Sequence, residues 1–115
     1  MIKRVLFVCT GNYDRSPTAE EMFKRVEGLE VKSAGTSPCS SPLSKPVTKE
    51  LLEWADIVFA MEDSHKEAML KIDASTKQKI VVLGVPDNYS RNQPELKKLL
   101  LEKLAPYLKN CCWRD

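Results

Sequence analysis

Cys9 and Arg15 stand six positions apart, and Ser16-Pro17 follows the arginine directly. A sulfur nucleophile and a guanidinium held together across a short loop suit one chemistry above others, attack on phosphorus. The guanidinium is a planar fork that holds two phosphate oxygens at once. Backbone N–H groups of a loop entering a helix, together with the helix N-terminus, form a nest for an anion. Such a field also favours the thiolate form of a cysteine at its mouth. Residues Thr10, Gly11, Asn12, Tyr13, Asp14 and Arg15 would then hold phosphate, and Cys9 would be the nucleophile. The competing reading is that Cys9 is an inert core cysteine, a common fate for a free thiol.

The chemistry requires a strand before Cys9 and a helix after Arg15. Val5-Leu6-Phe7-Val8 is an unbroken apolar run, the pattern of a strand buried on both faces. The following helix starts at Ser16, a residue able to cap it, with Pro17 in its first turn. Ala19, Met22, Phe23 and Val26 fall on one face, and Glu27-Gly28 is the expected stop. Leu29 to Lys32 alternates, as an edge strand does. A Ser- and Pro-rich loop spans Ser37 to Pro46. A helix over Thr48 to Ala55 presents Val47, Leu51, Trp54 and Ala55. Ile57 to Met61 and Ile80 to Leu83 read as buried strands. Between them Asp63 or Ser64 caps a helix bearing Met69 and Ile72. A last helix begins at Pro94, carries Leu96, Leu99, Leu100 and Leu104 inward, and should end or bend at Pro106.

Alternating strands and helices predict an α/β fold: a four-stranded parallel sheet, order 2-1-3-4, with helices on both faces in three layers. Residues 1–115 form one domain in this reading. In that order the chain reverses beside the first strand, so the switch point, where such sheets bind ligands, lies at Cys9.

Cys-x5-Arg-Ser, with Gly-Asn inside it and Pro-x-Ala-Glu after it, resembles the signature of the low-molecular-weight protein tyrosine phosphatases. Ser33-Ala34-Gly35-Thr36 and Ala55-Asp56-Ile57-Val58, with Met61 and Asp63, are similar to further segments of that family. The resemblance implies a cofactor-independent phosphatase that cleaves phosphomonoesters, protein phosphotyrosine foremost, through a phosphocysteine intermediate. It implies that Ser33 steadies the phosphate loop through Asn12. The chain departs from the family in three places. Only about twenty residues separate Gly35 from Asp56, where the family has a longer stretch, often with a histidine that supports the loop. Asp14 stands where a second loop cysteine is common. In place of the family's Asp-Pro acid there is Val85-Pro86-Asp87-Asn88-Tyr89.

Expelling a phenolate, whose conjugate acid has a pKa of about 10, calls for a proton donor. Asp87, in the loop after the last strand, is the candidate acid and base; the competing reading is a turn former. Asp14 should point away from the nest or pair with a basic side chain, since its charge opposes phosphate. Tyr13 and Tyr89 flank the site and could line a slot for an aromatic ring. Ser16 could also donate a hydrogen bond to the Cys9 sulfur. His65, the single histidine, shares a helical side with Met69 and Ile72 and reads as structural.

A composition 43% hydrophobic and 30% charged, with net charge +2, fits an ordinary globular protein. Scattered lysines argue against nucleic acid, and no run approaches the ~20 residues of a membrane span. The partners expected are a phosphotyrosine protein or a small aryl or alkyl phosphate, with inorganic phosphate as product. No metal spacing is present among Cys9, Cys39, Cys111 and Cys112, and a working thiolate points to the cytoplasm. Two alternatives use the same loop. In one, Cys39 and the Cys111-Cys112 pair relay oxidation in an arsenate reductase; in the other, the nest binds phosphate or phosphopeptide without turnover.

Overall fold

The structure, a computed structural model, describes residues 3–37 and 44–108, apart from the Leu108 side chain. Cys39, Cys111 and Cys112 lie outside the described residues. Strand β1, Lys3–Cys9, turns Val5 and Phe7 to one face and Leu6 and Val8 to the other, and all four are fully buried. A strand so covered must be central with helices on both sides. It is: β2 (Leu29–Gly35), β3 (Ile57–Ala60) and β4 (Ile80–Val82) complete a parallel sheet of order β2-β1-β3-β4. The order is the expected one.

Helices α1 (Arg15–Phe23) and α4 (Pro94–Leu108) enclose one core with Val5, Phe7 and Phe59, through Ala19, Phe23, Leu96, Leu100 and Leu104. Phe7 stacks on Phe59 at 5.6 Å and tilts against Phe23 at 6.1 Å. Helices α2 (Lys49–Trp54) and α3 (Asp63–Ile72) enclose the second core with Leu6, Val8 and Val58, through Leu52 and Met69. A 3-10 segment, Ala74–Lys79, leads into β4.

Several local expectations need correction. Helix α1 ends at Phe23, not at Gly28; Gly28 instead takes φ +90° in the turn into β2, and its carbonyl accepts the Lys3 N–H. Glu62, not Asp63 or Ser64, occupies the cap position of α3. In α2, Thr48 is the cap, its hydroxyl accepting from the Leu51 N–H at 3.1 Å, and Leu52 is the fully buried residue. Ile72 is 42% exposed rather than inward. Pro106 lies inside α4, in its last turn, where the missing N–H removes only one helical bond. Among the described residues, no helix is long and apolar enough to cross a membrane.

Candidate active site

Cys9 ends β1, and its side chain is buried beneath the loop that follows. The loop carbonyls are drawn away from that sulfur. Cys9 O accepts the Thr36 N–H at 3.0 Å and Thr10 O the Ser37 N–H at 2.8 Å. Asn12 O accepts the Ser44 hydroxyl, and Asp14 O accepts both the N–H and the hydroxyl of Thr18. A peptide plane carries its N–H opposite its carbonyl, so outward carbonyls turn the next N–H groups inward. Among the described residues, the backbone N–H groups of Gly11 to Arg15 meet no protein acceptor. Asn12 makes the bend at φ 51°, a left-handed conformation that asparagine tolerates better than most residues.

The Asn12 side chain fixes the loop. Its Nδ2 donates to Ser16 Oγ at 2.9 Å and Ser33 Oγ at 3.0 Å, while its Oδ1 accepts the Lys45 N–H at 2.8 Å. Ser33 passes its own proton to Glu20 Oε1 at 2.5 Å. Ser16 therefore accepts from Asn12 and has one proton left. That proton has the Cys9 sulfur at 3.0 Å and the more distant Ala34 carbonyl at 3.4 Å. Ser16 is thus not the helix cap that its place in the sequence suggests. Asp14 holds that position, without a side-chain capping bond, and the Ser16 hydroxyl faces sulfur.

Arg15 is buried, 1% exposed, and two partners orient it. Its Nη1 donates to Glu62 Oε1 at 2.6 Å and to the Val85 carbonyl at 2.7 Å, which uses both hydrogens of that nitrogen. The Nε–Nη2 edge has longer contacts, Nη2 donating to Thr10 Oγ1 at 3.4 Å and Nε facing Asp87 Oδ1 at 3.7 Å, and this is the edge that can turn to an oxyanion. The hydrogen bond from Arg15 holds the Glu62 carboxyl below the usual carboxylate range. Glu62 N–H donates to His65 Nδ1 at 3.0 Å, which makes Nδ1 an acceptor and places the ring proton on Nε2. Nε2 in turn donates to Thr10 Oγ1 at 2.8 Å. Burial, and then the charge of Arg15, push the His65 pKa down from its ordinary value against the pull of Glu62 and Asp87.

Local sequence pattern does not mark Glu62, and it gives His65 a helix-side role alone. A signal for Glu62 existed. It follows Met61 just past the end of β3, and in a parallel sheet the residues after every strand rim one crevice. The same rule picks out Asp87 after β4. That carboxylate lies beside Arg15 and is 60% exposed. Tyr13 is exposed at the loop, whereas Tyr89 is half-buried against the core of β1 and α4. Asp14 turns its carboxylate onto a backbone group, the Arg91 N–H, rather than a basic side chain. Among the described residues, no group of three or more histidine, cysteine or acidic side chains could hold a metal.

A sulfur under a ring of inward amides, flanked by an oriented guanidinium edge and a carboxylate, can accept a phosphoryl group and stabilise its equatorial oxygens. Comparison with known proteins points the same way. Residues 4–42 match the family model for low molecular weight phosphotyrosine protein phosphatase. A protein-arginine-phosphatase of Bacillus subtilis is 31% identical, covering 91% of this chain and 96% of that protein. The low molecular weight protein-tyrosine-phosphatase Wzb of Salmonella typhi is 29% identical, covering 91% of each. The structure of a YwlE arginine phosphatase mutant with a phosphorylated active-site serine superposes with a TM-score of 0.73, at 29% identity over 93% of this chain and 96% of that one. The chain belongs to the low molecular weight phosphotyrosine protein phosphatase family, whose members are cysteine-dependent phosphatases.

Proposed function

We propose that the chain hydrolyses phosphomonoesters, protein phosphotyrosine first among them, by way of a phosphocysteine. Cys9 sulfur attacks phosphorus; the S–P bond forms as the P–O bond to the leaving group breaks. Asp87 gives its proton to the leaving oxygen. Water then attacks phosphorus, Asp87 takes a proton from it, the S–P bond breaks and inorganic phosphate departs. Arg15 and the amides of residues 10–15 hold the transferring oxygens, and Ser16 donates to the departing sulfur. Asn12 and Ser33 keep the loop in shape. Tyr13 at the rim is the contact for an aromatic substrate side chain.

The observation that supports this reading best is the ring of amides from Gly11 to Arg15, without an acceptor among the described residues, beside Cys9 and the Nε–Nη2 edge of Arg15. The test is p-nitrophenyl phosphate hydrolysis by the native chain beside Cys9→Ser. Turnover by the native chain and none by the variant is expected; equal rates refute the reading. A thiol nucleophile of this kind works in a reducing compartment, so we place the protein in the cytoplasm.

A second reading is favoured by the arginine-phosphatase relative: hydrolysis of phosphoarginine, with the same S–P intermediate and a P–N bond broken instead. Paired peptides carrying phosphotyrosine or phosphoarginine separate the two. The larger kcat/KM names the substrate class.

A further inference from the structure

A carboxylate one residue before the phosphate-binding arginine opposes anion binding unless it has other work. Asp14 Oδ1 accepts the Arg91 N–H at 3.0 Å. One helical turn further, Thr18 Oγ1 accepts the Asn92 N–H at 2.9 Å and gives its own proton to the Asp14 carbonyl at 2.6 Å. Arg91 and Asn92 belong to the connection from β4 to α4, which carries Asp87.

The same connection is fastened upstream. Val85 N–H donates to the Met61 carbonyl at 2.8 Å, and the Val85 carbonyl takes Arg15 Nη1 at 2.7 Å. Asp87 therefore sits between two fastenings, one on Arg15 and one on its neighbour Asp14. The downstream end is a closed turn: Gln93 N–H donates to Ser90 O at 3.1 Å, and Ser90 N–H to Gln93 Oε1 at 2.8 Å. Asn92 within it adopts φ 62°. Pulling on Arg91 and Asn92 thus moves the turn of residues 90–93 as a unit, and that turn begins three residues after Asp87.

We propose that Asp14, assisted by Thr18, is a positioning residue that sets the place of Asp87 over the phosphate cradle. Its carboxylate acts through the backbone of residues 91–92 and touches no substrate. The carboxylate makes no capping bond to α1, so the start of that helix does not depend on it. The inference rests on Asp87 being the general acid, and the experiment separates the two claims.

The full chain is compared as native, Asp14→Ala, Asp14→Asn, Asp87→Asn and the Asp14→Ala/Asp87→Asn double variant. Phenyl phosphate (poor leaving group) and p-nitrophenyl phosphate (good leaving group) are the substrates. A displaced acid costs most where the leaving group most needs a proton. Asp14→Ala is expected to lower kcat about tenfold on phenyl phosphate and less than about threefold on p-nitrophenyl phosphate, part of the ~hundredfold or more due to the acid. Asn keeps the acceptor oxygen without the charge and is expected to restore most of the loss. In the double variant, Asp14→Ala adds nothing to Asp87→Asn. Equal losses on both substrates, or an Asn variant as impaired as Ala, overturn the positioning role. Asp87→Asn without leaving-group dependence overturns the acid itself. Should Asp14→Ala not fold, Thr18→Val removes the Asn92 fastening together with the hydroxyl's bond to the Asp14 carbonyl and leaves the carboxylate's bond to Arg91 N–H in place; a smaller selective loss supports the proposal, and no selectivity overturns it.

Discussion

Gly35→Ala tests how the phosphate loop is held. Gly35 ends β2 against the loop, and a Cβ placed on it would lie 2.6 Å from Thr10 O and 2.8 Å from Asn12 N. Both are backbone atoms, so no side chain can swing aside. Ordinary contact begins at 3.4 Å, so one of the two segments must give by about 0.8 Å. β2 cannot easily retreat. Gly35 N–H is bonded to Lys45 O at 2.8 Å, and its carbonyl accepts the Val47 N–H at 3.0 Å. The loop yields instead, carrying its amides off the positions they share with Cys9. Overpacking of this size costs about 1–3 kcal/mol of stability. A shift approaching 1 Å in positioned groups lowers rate by up to ~hundredfold. We expect kcat/KM on p-nitrophenyl phosphate to fall tenfold to hundredfold, inhibition by inorganic phosphate to weaken, and urea unfolding to shift accordingly. Activity within threefold of native, with stability changed by less than about 0.5 kcal/mol, would refute the claim that this contact sets the cradle.

Three further outcomes are expected. Ser16→Ala removes the donor to sulfur and slows breakdown of the phosphocysteine on the order of tenfold or more; stopped-flow kinetics should then show a burst of p-nitrophenol, and a loss without a burst counts against the role. His65 has a folded pKa below its unfolded value of about 6.5, so the unfolded chain binds the extra proton first. Its stability contribution is complete above that pH and declines as pH falls through it toward the folded value. Urea unfolding from pH 8 to 5 checks this, and His65→Gln should flatten that limb; an unchanged slope refutes it. Thr48→Ala deletes the cap of the six-residue α2 and should cost about 0.5–2 kcal/mol, with Thr48→Ser close to native, as read by thermal unfolding.

What was legible in the sequence was what local pattern controls. Val5 to Val8 could hardly be anything but a central strand, and Ala19 and Phe23 mark the inner face of α1 as the structure has it. The place of Cys9 follows from strand order, which parallel connection rules restrict to few choices. Contacts far apart along the chain were not legible. Ser16 reads both as a helix cap and as a donor to Cys9; the structure gives the cap position to Asp14 and sets the Ser16 hydroxyl 3.0 Å from the sulfur, with Asn12 as the partner that local pattern does not show. His65 shares the spacing of Met69 and Ile72, yet Ile72 is exposed and His65 is buried against Thr10, 55 residues away. Arg15 stands in a recognisable motif; its partners Glu62 and Val85, from the segments after β3 and β4, carry no motif of their own.

The anchoring of Arg15 bears on how tightly an anion is held and how soon it leaves. A free arginine side chain surrenders ~2 kcal/mol of rotamer entropy when it is immobilised. Here folding has already done that, so in the proposed role an arriving phosphate would meet a donor edge that needs no reordering. The Glu62 carboxylate also offsets part of the cation's charge before any anion arrives. Recognition then depends more on the match between donors and a trigonal transition state than on raw attraction to a dianion. Calorimetry of phosphate and vanadate should accordingly register a small entropic penalty for both, modest affinity for the first and much stronger affinity for the second.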